Sequence, residues 1–211
     1  MYSRRFSTIF VHIPKTGGQS VEHVFLAQHG LTWKERGELL LRRKRPGESG
    51  PPRLAHLYAR EYVELGFVSA KAFAASYKFA VVRNPYERAV SAYRFRKEGV
   101  RADEGLTFRH FTLMLDEWNE DRQIRPQSDF LFDEGGMPIV DTVLRFERLN
   151  DGFAQVSERI FGRPILLPHV NKSTSAVPSE ASDPEVRQAL YKFYERDFDL
   201  FKYPRFSSAE T

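Results

Sequence analysis

The chain contains no cysteine, which excludes a disulfide framework, a thiolate metal site and a cysteine nucleophile. It also lacks any run approaching the roughly 18 consecutive apolar residues of a membrane span, and Met1 to Arg5 lead into a strand-like run rather than a signal-peptide core. The expectation is a soluble protein without a targeting segment, and the missing cysteines fit cytoplasmic residence. An excess of one charge sign is nearly absent too: 32 Lys and Arg stand against 28 Asp and Glu, a net charge of +4. Anionic ligands are favoured only weakly by that balance. The densest basic run, Arg42-Arg43-Lys44-Arg45, lacks the interleaved aromatics of a single-strand binding platform, so no nucleic-acid partner is expected. It is followed by Pro46, Gly47, Ser49, Gly50, Pro51 and Pro52, the composition of a surface loop.

What the chain does have is 211 residues with 41% hydrophobic and 14% aromatic content, enough for one domain with a substantial core. It is organised around Thr8 to Ser20. An apolar run, Thr8-Ile9-Phe10-Val11-His12-Ile13, stops at Pro14 and becomes a loop, Lys15-Thr16-Gly17-Gly18-Gln19-Ser20. A helical segment follows, with Val21, Val24 and Phe25 at helical spacing. Strand, glycine turn and helix start together make an anion cradle, because glycines let the backbone approach a ligand and the first helical N–H groups point toward it. Lys15 adds a full positive charge, and Thr16 and Ser20 add hydroxyls. The ligand chemistry indicated is a phosphate or a sulfate. Since Lys15 precedes the glycines, the loop is not a Walker A sequence.

A second unit has the same layout. Phe79-Ala80-Val81-Val82 reads as a buried parallel strand, ended by Asn84-Pro85, and Pro85 suits the first turn of a helix. Arg83 then stands at the carboxyl end of a strand, where open α/β sheets bind ligands. Ser91 lies two helical turns on. Taken alone, Arg83 fits an ion pair with Glu87 and Ser91 fits a packing position equally well.

Between the units, Leu31 to Arg53 is expected as a surface loop insertion, followed by a short segment, Leu54 to Glu61, that carries His56. Further along, Phe108, Phe111, Leu115 and Trp118 predict a helix within Gly105 to Glu120. The spacing also predicts a strand over Val140 to Phe146, then a helix capped by Asn150 or Asp151 and closed at Gly162. Ser182-Asp183-Pro184-Glu185 starts a last helix running to Tyr194 or Phe198. The architecture expected is α/β: a P-loop-like three-layer fold with a central parallel sheet flanked by helices.

The text His12-Ile13-Pro14-Lys15-Thr16-Gly17-Gly18-Gln19-Ser20, followed by Val82-Arg83-Asn84-Pro85-Tyr86-Glu87-Arg88-Ala89-Val90-Ser91-Ala92-Tyr93, resembles the signatures of sulfotransferases that use 3′-phosphoadenosine-5′-phosphosulfate. The likeness is to the Golgi carbohydrate sulfotransferases and their bacterial relatives. Leu144-Arg145-Phe146-Glu147-Arg148-Leu149, Leu167 to Ser173 and Asp197 to Phe201 extend it over most of the chain. The resemblance implies that Lys15, Thr16, Gly17, Gly18 and Ser20 hold the donor's transferring end, with the Gln19 backbone donor beside them, that Arg83 and Ser91 hold its 3′-phosphate, and that Lys172 is a further donor contact. Gln19 stands where the family often has threonine. Lys15 and His56 would be catalytic, with Lys15 neutralising the leaving group and His56 taking the acceptor's proton. Gln127 would contact the acceptor, a hydroxyl of a carbohydrate or glycoconjugate, and no metal is needed. On the residues themselves two other functions stay open: a P-loop-like phosphotransferase, and a catalytically inactive nucleotide- or acidic-polymer-binding protein.

Overall fold

The computed structural model describes residues 1–98, 103, 105–168 and 177–205. Its strands are β1 (Tyr2–Ser3), β2 (Thr8–Val11), β3 (Tyr77–Val82) and β4 (Thr142–Arg145). Its α-helices are α1 (Gly18–His29), α2 (Glu61–Glu64), α3 (Ala70–Ala75), α4 (Pro85–Glu98), α5 (Phe108–Leu113), α6 (Ser128–Leu131), α7 (Leu149–Phe161), α8 (Pro184–Phe193) and α9 (Glu195–Phe201). The chain divides into two compact units, Met1–Val82 with Asp129–Lys172, and Arg83–Ser128 with Ser173–Thr211.

The first unit carries the sheet, ordered β1-β2-β3-β4. β2, β3 and β4 are parallel, with Phe10 opposite Phe79 and Phe79 opposite Thr142, and β1 is antiparallel to β2. This is the expected α/β sheet with flanking helices, parallel except for β1, an antiparallel edge strand that the sequence did not predict. Phe10, Phe79, Val81 and Leu144 form a core with Val21, Val24 and Phe25 of α1 and Phe153 and Val156 of α7. Ile9, Val11, Ala80 and Val82, which alternate with them along the strands, are buried as well. Strands covered on both faces read as continuous apolar runs, which is why no polar-apolar alternation marks them. Each buried phenylalanine contributes on the order of 1.5–3 kcal/mol.

Two boundaries differ from expectation for local reasons. β4 stops at Arg145 because Phe146–Arg148 forms a 3-10 turn that runs directly into α7. The chain therefore enters α7 already helical, no side chain caps it, and Asn150 and Asp151 lie inside the helix rather than at its cap. The stretch 31–53 is a structured surface segment. Thr32 and Glu35 brace a 3-10 helix over Trp33–Leu39, Arg42 forms two 2.7 Å hydrogen bonds to Glu48, and Arg43 bridges Arg53. Leu39 and Leu41 join the core, whereas Arg43, Lys44 and Arg45 stay exposed.

The second unit is helical. Tyr93 of α4 meets the rings of Phe108 and Phe111 of α5, and Val186 and Leu190 of α8 are buried. α5 is shorter than its aromatic spacing predicted. Past Leu113 the chain continues as hydrogen-bonded turns that still bury Leu115. Asp183 caps α8 by accepting from the N–H groups of Glu185 and Val186, with Pro184 in the first turn. Tyr194 then breaks the expected last helix into α8 and α9. Among the described residues no helix is long and apolar enough to cross a membrane.

Candidate functional site

The turn from β2 into α1 is shaped by close approach. Gly17, at φ 79°, holds the N-cap position of α1, no side chain caps the helix, and its first turn holds no acidic residue. A Cβ on Gly17 would come 2.8 Å from the Phe146 ring, and one on Gly18 would come 2.3 Å from the His12 ring. At both positions a larger residue would force the neighbouring ring to move. Lys15 also has a positive φ, 70°, uncommon for a residue with a side chain. Strain of this kind clusters at ligand clamps. The Thr16 hydroxyl donates to the Ile13 carbonyl at 2.9 Å and Thr16 is fully buried. The side chain thus closes the loop on itself. Gln19 is exposed and Lys15 half-buried.

Ser20, from the first turn of α1, lines a cavity of about 350 Å³ together with Phe146, Arg148, Leu149, Asn150 and Leu167. The 3-10 turn after β4 thus supplies one wall and the loop helix another. A cavity of that size matches part of a small-molecule site.

Beneath the loop lies a buried polar cluster. His12 Nδ1 donates to the Glu22 carboxyl at 2.5 Å, with both side chains over nine-tenths buried. The His12 ring stacks on Phe10 and meets the His56 ring edge-on at 4.8 Å. His56 Nδ1 lies 3.1 Å from the backbone carbonyl of His12. A carbonyl only accepts, so Nδ1 carries the proton and Nε2 bears the lone pair of the neutral ring. Burial pushes the Glu22 carboxyl up, but the charge and hydrogen bond of His12 more than offset it and leave Glu22 below its ordinary value. Burial, and then the charge of His12, push the His56 imidazole down to about 3. The residue as a whole is only partly buried, yet its ring lies deep enough for desolvation to dominate.

This ionisation has a measurable consequence. The folded chain holds His56 neutral to about 3, whereas the unfolded ring protonates near 6.5. Below 6.5 the unfolded state therefore binds the extra proton, and stability falls as pH falls through that window. Glu22 acts in the same direction at lower pH. The urea midpoint should decline between pH 6.5 and 5, with a shallower decline in His56→Gln. An equal decline in that variant would show that His56 is not the group responsible.

In the second unit Arg83 directly follows β3. Its guanidinium lies 3.2 Å from Glu87, an i,i+4 pair with an exposed carboxylate that contributes only about 0–1 kcal/mol. An incoming phosphate can displace such a partner at little cost. The Asn84 side chain accepts from the Tyr86 N–H at the start of α4, and Ser91 is half-buried further along that helix. Gln127, expected to contact the acceptor, is fully buried. Its Oε1 accepts from the Arg83 N–H at 2.8 Å and its Nε2 donates to the Arg83 carbonyl at 2.9 Å. Both ends of the amide are engaged, so Gln127 positions Arg83 rather than facing a substrate. Asp197 holds the next link by accepting from the N–H groups of Gln127 and Ser128. Lys172 lies outside the described residues.

The structure brings Lys15 to Ser20 and His56 into the first unit and Arg83, Ser91 and Gln127 into the second. His12 and Glu22 were not among the residues singled out as functional. One signal pointed to Glu22: it falls among Gly18, Val21 and Phe25 on the buried arc of α1, where a charge needs a partner. Among the described residues no group of three or more histidine, aspartate or glutamate side chains could hold a metal ion. The family model that matches the chain, over residues 1–204, is that of the sulfotransferase family. No curated protein and no solved structure matches it.

Proposed function

The chain belongs to the sulfotransferase family, and from that premise we propose that it transfers a sulfuryl group from 3′-phosphoadenosine-5′-phosphosulfate to a hydroxyl of a carbohydrate or glycoconjugate. The observation that carries the reading is the Lys15 to Ser20 loop: two glycines in close packing, a helix start with no side-chain cap and no acidic residue in its first turn, and a lysine before them. That donor set suits a phosphosulfate anion. The family match includes segments of both compact units, which supports reading 1–211 as one sulfotransferase domain.

The donor supplies a sulfuryl group on a phosphate leaving group; the chain supplies charge, orientation and a base. Lys15 neutralises the negative charge that develops on the leaving phosphate oxygen, and backbone N–H groups of Gly17 to Gln19 stabilise the sulfuryl oxygens. Ser20 holds the edge of the neighbouring cavity. His56 accepts the acceptor's proton at Nε2. Alone the ring is a weak base. An anion brought near it raises its pKa toward neutrality, since opposite charge favours the protonated form. Arg83 and Ser91 are assigned the 3′-phosphate by the family resemblance, with Gln127 fixing the Arg83 backbone.

Calorimetry with 3′-phosphoadenosine-5′-phosphate tests the reading. Binding should require the 3′-phosphate and weaken by about tenfold or more in Arg83→Ala, as loss of a charge-assisted hydrogen bond does. Equal or tighter binding of ATP with magnesium would instead make the protein a phosphotransferase.

A further inference from the structure

We propose that Glu22 and His12 form a buried positioning pair that seats the donor loop from below and holds His56 in one orientation for proton transfer. The pair rests on the sulfotransferase reading for what it positions; its geometry does not. Three contacts define it. Glu22, one turn into α1, takes the Nδ1–H of His12 at 2.5 Å. The far edge of the same ring, Cδ2 and Nε2, lies where a Gly18 side chain would begin, with 2.3 Å to an added Cβ. The face and edge of the ring meet Phe10 and His56, at 5.5 Å and 4.8 Å between centroids. The His12 ring is thereby wedged between the loop and the proposed base, and Glu22 fixes its rotation.

The second path from His12 runs through its backbone. The His12 carbonyl accepts from His56 Nδ1 at 3.1 Å, so the residue that Glu22 orients also selects which His56 nitrogen bears the lone pair. Neither His12 nor Glu22 needs to touch the donor. A group fixed by a hydrogen-bonded neighbour keeps its tautomer and direction, and loss of that neighbour is felt at the reacting atom.

The role assigned to Glu22 is that of a hydrogen-bond acceptor, which separates two variants of equal size. Glu22→Gln keeps an acceptor for His12 Nδ1–H; Glu22→Met removes it and leaves little cavity. In the full chain labelled with ¹⁵N-histidine, wild type should show His56 as a single neutral tautomer with a proton on Nδ1, and the Nδ1 proton of His12 far downfield. Glu22→Gln should keep both signatures and hold affinity for 3′-phosphoadenosine-5′-phosphate within about threefold. In Glu22→Met the downfield proton should vanish, the His56 nitrogens should shift toward a tautomer average, and nucleotide affinity should fall about tenfold. If Glu22→Met fails to melt cooperatively, His12→Asn, which keeps a donor for Glu22 but removes the ring from under Gly18, should lower nucleotide affinity to a similar extent.

Wild-type His56 resonances in Glu22→Met, with nucleotide affinity unchanged, would overturn the pair while leaving the sulfotransferase reading intact. A wild-type chain that does not bind the nucleotide would overturn the sulfotransferase reading, and the pair's role under the loop with it. The ring resonances need no nucleotide and would still decide the orientation of His56.

Discussion

Lys15→Ala is expected to lower sulfuryl transfer by about 10²–10³-fold, the loss typical of removing one preorganised charge or donor from a developing anion. The fold should be nearly unaffected. Lys15 holds a backbone φ of 70°, and alanine carries the same conformational cost there, so the substitution alters charge more than strain. The product nucleotide should lose much less affinity than the reaction loses rate, because charge on the leaving oxygen is greatest after the sulfur–oxygen bond begins to break. Lys15→Arg should recover part of the rate. The measurement is transfer of labelled sulfuryl group from the donor to a panel of soluble glycans, set beside calorimetry of 3′-phosphoadenosine-5′-phosphate. Parallel losses of rate and affinity would mean that Lys15 only binds.

Gly18→Ala should be damaging where helix propensity alone predicts the opposite. Alanine in a helix is favoured over glycine by about 0.5–1 kcal/mol. At Gly18 the added methyl would come 2.3 Å from two atoms of the His12 ring. That ring cannot swing aside without giving up its 2.5 Å hydrogen bond to Glu22 and its contacts with Phe10 and His56. Overpacking of a fixed site costs about 1–3 kcal/mol, so the overlap outweighs the propensity gain. Urea denaturation should show net destabilisation, and nucleotide affinity should fall by at least about tenfold as the loop is displaced. A variant more stable than wild type would mean that the His12 ring is loosely held, and would weaken the case for the positioning pair as well.

The two proposals about His56 meet in these variants. If Glu22 and His12 hold the loop and the ring together, Gly18→Ala should disturb the His56 resonances although its own contact is with His12. Arg83 offers a contrast. Its backbone is clamped by Gln127 and Gln127 is held in turn by Asp197, so its fixation is built wholly inside the second unit.

Much of the architecture was legible because it is local. The glycines of the loop, Pro85 and Pro184 at helix starts, Gly162 at the end of α7 and the apolar runs of β2 and β3 each act through their own backbone dihedrals or through burial on both faces. The resemblance in two long motifs then named the family that the match over residues 1–204 shows. Residues whose chemistry depends on a distant partner were not legible. Glu22 and His12 are 10 residues apart, His56 lies 44 residues from His12, and Gln127 lies 44 from Arg83.

By itself, then, the sequence determined the strand, loop and helix order and the lysine-first glycine loop, because short-range sterics and periodicity settle those. Only the tertiary structure decided that the Thr16 hydroxyl faces inward, that both ends of the Gln127 amide are spent on the Arg83 backbone, and that His56 Nδ1 lies against the His12 carbonyl. Hydrogen-bond direction and desolvation are properties of what a side chain is packed against, and packing brings together residues that no spacing rule connects.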